Sequence, residues 1–323
     1  MRMAMSTLGA LAPLVGCSEA YSGSALYRRD LGDGAAHVVK RMSPAWDWIM
    51  RVTGDQGRVG VLWQSGVMHA VPPVIDHAVV DTRFDGDVWE VVMRDVSDTL
   101  VGPEATIDRR AARRVLRAAA ALHDRFRGVR LDGLCSLEDR YRMFAPRAIR
   151  DLGITHPRAR LAADAWGAFA DIAPPDVAGP VLTILDKPAV LAARLASCPD
   201  QTLVHGDLKL QNLGFAGRRR LVVLDWGSLT GVAPPAVDFA WFLGQNAGRI
   251  CAPREAVIDD FRATMGERHD ERALRLSLLG SVVHFGWKLA RGVVEASGSD
   301  SSRQARADFL WWMMAARDGL EAW

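Results

Sequence analysis

The chain has 323 residues, 49% of them hydrophobic and 24% charged, with a formal net charge of +2, enough to bury a sizeable core as two domains or one two-lobed unit. That balance gives no global argument for nucleic acid or an anionic membrane surface as partner, and no run reaches the roughly 18 apolar residues of a membrane span. Four widely separated cysteines form no C-x-x-C pair, so neither a zinc site nor a disulfide framework is expected, which fits a reducing cytoplasm.

At the N-terminus, Met1 to Cys17 combines an early Arg, an apolar run and Leu14-Val15-Gly16-Cys17 in the manner of a lipoprotein cleavage box. A single charge and the interruption at Pro13 speak against a signal peptide. From Ser18 to Met42 the pattern predicts a hairpin, with strands at Ala25 to Arg29 and His37 to Arg41 and a turn from Asp30 to Gly34. The small residues Ser22, Gly23 and Ser24 ahead of it would let backbone N–H groups approach an anion closely. Gly54 to Gly66 reads as a helix whose only acid is Asp55. Alternating strands follow at Val74 to Val80 and Val88 to Met93, divided by a turn at Asp85-Gly86, and then the connection Arg94-Asp95-Val96.

Ala105 to Arg127 is expected to be a long helix with Ile107, Ala111, Val115, Ala118 and Leu122 on one apolar face, and Gly128 ends it. His123 reads as a buried histidine packed under a loop. Between Ala105 and Arg160 fourteen Arg face six acids; without an aromatic stacking pattern, this excess reads as solvated helix faces. Further helices are expected at Leu137 to Ile149, Pro157 to Phe169 and Pro188 to Ala196, with loops at Ala173-Pro174-Pro175 and Gly179-Pro180. The C-terminal third is helical, with Trp287, Trp311, Trp312 and Trp323 as core aromatics and a mobile loop at Ala296 to Arg303.

One run reads as a site: Leu203-Val204-His205-Gly206-Asp207-Leu208-Lys209-Leu210-Gln211-Asn212, then Leu221 to Leu224 and Asp225-Trp226-Gly227. An Asp followed five residues later by an Asn, on a short loop after an apolar strand, sets a hydroxyl-facing carboxylate beside a neutral oxygen ligand. The apolar tetrad brings Asp225 back beside Asn212 as the end of a paired strand, with Gly214 and Gly217 supplying the turn. The result is a hard-oxygen pocket suited to Mg²⁺.

His205-Gly206-Asp207 with Asn212 and Asp225-x-Gly227 resembles the catalytic core of the aminoglycoside phosphotransferase and choline-kinase-like families, which share the protein-kinase fold. The resemblance implies an α+β, two-lobed, protein-kinase-like fold with a small antiparallel-sheet N-lobe (1–94), a hinge (95–102) and a larger, mainly helical C-lobe (103–323). It implies ATP and Mg²⁺ as cofactors, Asp207 as the acceptor of the substrate hydroxyl's proton, and Asn212 and Asp225 as metal ligands. Ser22, Gly23 and Ser24 then cover phosphates, Lys40 reaches them from the next strand, Asp95 lies where adenine meets the hinge, and Asp238 braces the catalytic loop. Only four residues of the chain are Lys, and two, Lys40 and Lys209, fall where such an enzyme needs a point cation. The helix acid that should pair Lys40 is not evident: Asp55, another acid, or none remains open. Gly206, where protein kinases usually carry Arg, points to a small-molecule hydroxyl acceptor, whereas Lys209 is typical of Ser/Thr protein kinases and keeps a peptide acceptor in view. A nucleotide-binding pseudokinase is a third reading. The short interval from Ser228 to Val237 favours the small acceptor, since it leaves no length for a peptide-docking platform, and Ser228 and Thr230 read as hydrogen-bonding caps.

Overall fold

The structure, a computed structural model, describes residues 12–13, 22–30 and 34–323. Most of the cleavage-box stretch and the tip of the hairpin turn, residues 31–33, lie outside them. Strands β1 (Ala12–Pro13), β2 (Ala25–Asp30) and β3 (Ala36–Met42) open an antiparallel sheet. Two short helices follow, α1 (Trp48–Val52) and α2 (Arg58–Gln64). Strands β4 (Ile75–Asp76), β5 (Val79–Asp85) and β6 (Val88–Arg94) come next, and the five-stranded sheet is ordered β1-β2-β3-β6-β5. Lys40 stands mid-strand in β3, paired in register with Leu26 and Val91.

Two expectations for this region are corrected. The helix expected from Gly54 to Gly66 is shorter, α2 alone: Gly57, at φ +118°, is its N-cap, and Asp55 Oδ1 accepts the N–H groups of Gly57 and Arg58, at 2.7 Å each, in the turn that precedes it. The strand from Val74 to Val80 divides at Ala78, whose φ is +59°. Its first part, β4, leaves the main sheet for a second one described below.

The rest is helical around a few short strands. After β7 (Ile107–Asp108), Asp108 caps α3 (Arg109–Arg125). The helix expected from Leu137 to Ile149 is broken into α4 (Leu137–Arg142) and α5 (Pro146–Asp151), since the residue before a proline is disfavoured in helical geometry. Then come α6 (Pro157–Ile172), α7 (Pro175–Asp186) and α8 (Ala189–Ala196). The expected loop at Gly179-Pro180 lies inside α7. Pro180 and Asp176, the carbonyl it leaves without a helical donor, are both on the exposed side, where solvent replaces the lost bond.

Strands β8 (Thr202–Val204), β9 (Leu213–Ala216), β10 (Arg220–Val223) and β11 (Gly231–Ala233) frame the run from His205 to Asn212 and the residues Asp225 to Gly227. Strand β10 pairs antiparallel with β9 and parallel with β4, and β11 pairs with β8. Helix α9 (Pro235–Asn246), strand β12 (Ile250–Cys251) and helices α10 (Arg254–Met265), α11 (Glu271–Glu295) and α12 (Ser299–Glu321) complete the chain. Helix α11 is buried around most of its circumference and is the axis against which α6, α7, α9 and α12 pack. The loop expected at Ala296 to Arg303 is shorter than read, since α12 begins at Ser299. An N-terminal antiparallel sheet followed by a mainly helical region is the α+β architecture expected, and no helix among the described residues is long and apolar enough to cross a membrane.

Candidate active site

The loop that carries Asp207 is held from beneath by one buried carboxylate. Asp238, in the first turn of α9, accepts the backbone N–H groups of His205 at 2.9 Å and Gly206 at 2.7 Å, and takes His123 Nε2 at 3.0 Å. Burial alone would raise its pKa, but these partners prevail and hold it below the ordinary carboxylate range. Gly206 has φ +85°, and a Cβ there would meet Leu229 O at 2.1 Å, so the loop tolerates no side chain at that point. Thr230 Oγ1 accepts Gly227 N–H and donates to His205 O, at 3.0 Å each, the capping role expected of it. Asp238→Ala should cost roughly 3–5 kcal/mol of stability, because three buried donors lose their acceptor together; urea denaturation measures it.

Above this support lies Asp207. Its Oδ1 accepts Trp241 Nε1 at 2.9 Å, and its Oδ2 accepts Lys209 Nζ at 2.7 Å and Asn212 Nδ2 at 2.9 Å. The carboxylate is therefore oriented by three separate donors. The β9–β10 hairpin returns the chain as expected, and Leu224 N–H donates to Asn212 O at 2.8 Å, which places Asp225 next to the Asn. Gly217 makes the turn, with φ +60°. Gly214 does not: it is a strand residue opposite Val222, and a Cβ there would meet Thr99 O at 2.8 Å, so it is needed for the close approach of the Ser97–Thr99 turn.

Asp225 adopts φ +66° and receives Lys40 Nζ at 2.6 Å and Ser228 Oγ at 3.1 Å, both on Oδ1. This identifies the partner of Lys40 that the sequence left open. Asp55 instead accepts the N–H groups of Gly57 and Arg58 ahead of α2 and pairs Arg58 at 3.6 Å. Burial raises the pKa of Asp225, yet Lys40 and Lys209 outweigh it and hold the group well below its ordinary value. Both lysines are raised despite burial, Lys40 by Asp225 and Lys209 by Asp207 and Asp225. The site thus gathers two aspartates and two lysines, each lysine hydrogen-bonded to one of the aspartates.

The remaining sequence-derived site residues are less central. Ser24 Oγ donates to Asp47 Oδ2 at 2.6 Å, Ser22 O accepts Trp48 N–H at 3.0 Å, and Asp47 also caps α1. The Ser22-Gly23-Ser24 turn is therefore docked on the start of α1, and Asp47 adds its charge to the surroundings of Lys40. Asp95 has both polar ends engaged locally: its N–H donates to Ala36 O at 2.8 Å, and its Oδ1 accepts Ser97 N and Oγ at 3.0 and 2.6 Å. No contact among the described residues links it to the catalytic loop.

Two residues escaped the sequence reading. Trp241 lies three positions after Asp238, hence on the same face of α9, and that spacing was the available signal. Arg140 was counted among solvated arginines but is buried, donating to Gly206 O at 2.8 Å and lying over the Trp241 ring at 4.6 Å. Nothing in an Arg-rich stretch singles it out.

The donor set suits a hard divalent cation. Asn212 gives its amide nitrogen to Asp207, and Asp225 receives both its donors on Oδ1. Among the described residues no donor occupies Asn212 Oδ1 or Asp225 Oδ2, leaving two oxygens of the type Mg²⁺ prefers.

Comparisons with known proteins bear on the family and the fold. The profile of the phosphotransferase enzyme family, APH, matches residues 17–276. Spectinomycin phosphotransferase APH(9)-Ia, solved with ADP and spectinomycin, aligns over 98% of this chain and 94% of its own, at 13% identity and TM-score 0.54. Choline kinase LicA from Streptococcus pneumoniae aligns over 95% and 94%, at 12% identity and TM-score 0.51. Aminoglycoside phosphotransferase APH(3'')-Id from Streptomyces rimosus aligns over 86% and 92%, at 16% identity and TM-score 0.50. These likenesses establish the two-lobed, kinase-like fold. A search of curated proteins finds no match.

Proposed function

The chain belongs to the phosphotransferase enzyme family, and from that premise we propose that it moves the γ-phosphate of ATP, with Mg²⁺, to a hydroxyl of a small molecule. The observation that carries this reading is the Asp207 carboxylate, held by Trp241, Lys209 and Asn212 beside the Lys40–Asp225 pair. The lobes are assigned to 1–94 and 103–323, joined by 95–102.

In this reading Asp207 accepts the proton of the attacking hydroxyl as its oxygen bonds to the γ-phosphorus and the bond to the ADP oxygen breaks. Lys209, hydrogen-bonded to the same carboxylate, stands where negative charge moves during transfer. Lys40 turns from Asp225 to the nucleotide phosphates, with the Ser22-Gly23-Ser24 turn covering them. Asn212 Oδ1 and Asp225 Oδ2 would hold Mg²⁺, which when bound neutralises charge on the phosphate oxygens. Asp95 belongs to the adenine side. The ADP named with the spectinomycin enzyme supports nucleotide use.

A small acceptor is favoured over a peptide by the segment from Ser228 to Val237. Its middle is strand β11, bonded to β8, and Thr230 is buried in the loop support, so it offers no platform for a polypeptide. The named acceptors of the relatives, spectinomycin and choline, are likewise small. The test is an ATP-consumption screen of purified protein against sugars, aminoglycosides, amino alcohols, hydroxy acids and hydroxylated peptides. Efficient phosphorylation of a long peptide, with every small compound ignored, would overturn the reading.

Trp241→Phe removes one charge-assisted hydrogen bond from Asp207 and keeps an aromatic ring. A bond of this kind is worth about 1.5–3 kcal/mol, so kcat should fall by about ten-fold while KM for ATP stays near that of the wild type. Steady-state kinetics with both substrates separates the two.

A further inference from the structure

Helix α11 carries a cation that nothing above uses. Lys288 stands four residues after His284, on the same helix face. The His284 ring packs edge-on against Trp241 at a centroid distance of 4.5 Å, and that indole is the one bonded to Asp207 Oδ1. Lys288 is thus one helical turn along the face that backs the catalytic carboxylate. Its side chain reaches solvent, and its charge is felt together with those of Arg158, at the start of α6, and Lys209. Desolvation first, then these two cations, lowers its pKa, and Arg158 weighs on Lys209 in the same sense. Among the described residues no carboxylate is paired with Lys288, so its ammonium meets like charges with no acid of its own.

The chain has only four lysines; two of them, Lys40 and Lys209, meet the two aspartates, and Lys288 acts electrostatically on Lys209. Lys209 is answered by Asp207 and Lys40 by Asp225. Lys288, which pairs with no carboxylate among the described residues, adds positive charge near Lys209, where an amine-bearing acceptor would be repelled. A negatively charged acceptor would relieve the crowding instead.

Resting on the phosphotransferase reading, we propose that Lys288, one helical turn beyond the His284–Trp241 contact, forms an anion subsite, so that the hydroxyl compound phosphorylated here carries an anionic group rather than an amine. The cation fixes the far end of the acceptor while its hydroxyl faces Asp207.

Two matched series test this: glycerol, 3-amino-1,2-propanediol, glycerate and glycerol 3-phosphate; and glucose, glucosamine, gluconate and glucose 6-phosphate. In at least one series an anionic member should exceed its neutral and amine counterparts in kcat/KM by about ten-fold or more, and the carboxylate and phosphate arms show which anion is meant. Lys288→Glu, at a solvent-reaching position where a melting curve confirms folding, should erase that preference by raising KM for the acceptor. Preference for the amine or neutral member, or an unchanged preference in the variant, would overturn the proposal. So would a rise in KM for ATP alone, which would give the cations to the nucleotide. Calorimetry with the same eight compounds makes the test independent of turnover: anions must bind the wild type more tightly than amines, and lose that advantage in Lys288→Glu. Retained anion binding with no phosphate transfer to any compound would sink the phosphotransferase reading and leave the anion subsite standing.

Discussion

Asp207→Asn leaves the protein folded and able to bind nucleotide, while turnover falls by roughly 10²–10⁴, the range for loss of a general base. The amide cannot accept the hydroxyl's proton, and it also cannot satisfy its surroundings. Trp241 Nε1 donates to one oxygen, and Lys209 Nζ and Asn212 Nδ2 donate to the other. An Asn must therefore turn its own NH₂ toward at least one donor, a mismatch of about 1–3 kcal/mol. Single-turnover phosphoryl transfer, read beside calorimetric nucleotide binding and a thermal melt, checks all three consequences. Wild-type turnover in the variant would remove Asp207 from the role of base.

On the proposed reading Asp225→Ala should abolish Mg²⁺-dependent nucleotide binding and transfer, since it would remove a metal ligand together with its charge. The substitution has a second effect: at φ +66° an Asp is tolerated better than an Ala. Asp225→Asn keeps the backbone preference and loses only the charge, so it separates the two causes. If the Asn variant binds Mg-ATP and turns over like wild type, the metal is held elsewhere; if both variants fail alike, the missing charge is responsible.

The site was legible wherever its chemistry is local. His205, Asp207 and Asn212 occupy one short loop, and the apolar run from Leu221 to Leu224 was enough to return Asp225 to Asn212. Asp238 was readable as the loop's brace only through the resemblance, since an Asp near a helix start is ordinarily a cap. What stayed hidden depends on long-range packing. Lys40 and Asp225 are 185 residues apart in sequence, and no pattern around Lys40 announces that its partner comes from the metal motif rather than from a helix. Arg140 looks like its neighbours until it is seen beneath Gly206. The misread helix boundaries fail for a different reason: Pro146 begins a new helix within a run whose apolar spacing continues across the break, the left-handed Gly57 delays the start of α2, and Pro180 costs little where its carbonyl partner faces solvent.

If Asp225 holds the metal as proposed, the Lys40–Asp225 contact makes one carboxylate serve two masters in succession. While the amine is bound there, part of the negative charge that would attract a divalent ion is already neutralised, and while the amine is held it is not available to a phosphate. Metal and nucleotide should therefore bind with positive cooperativity: each lowers the cost of displacing the internal pair for the other, by the same factor in both directions. An enzyme wired this way is a coincidence detector, largely indifferent to free magnesium or to uncomplexed nucleotide and responsive to the two arriving together.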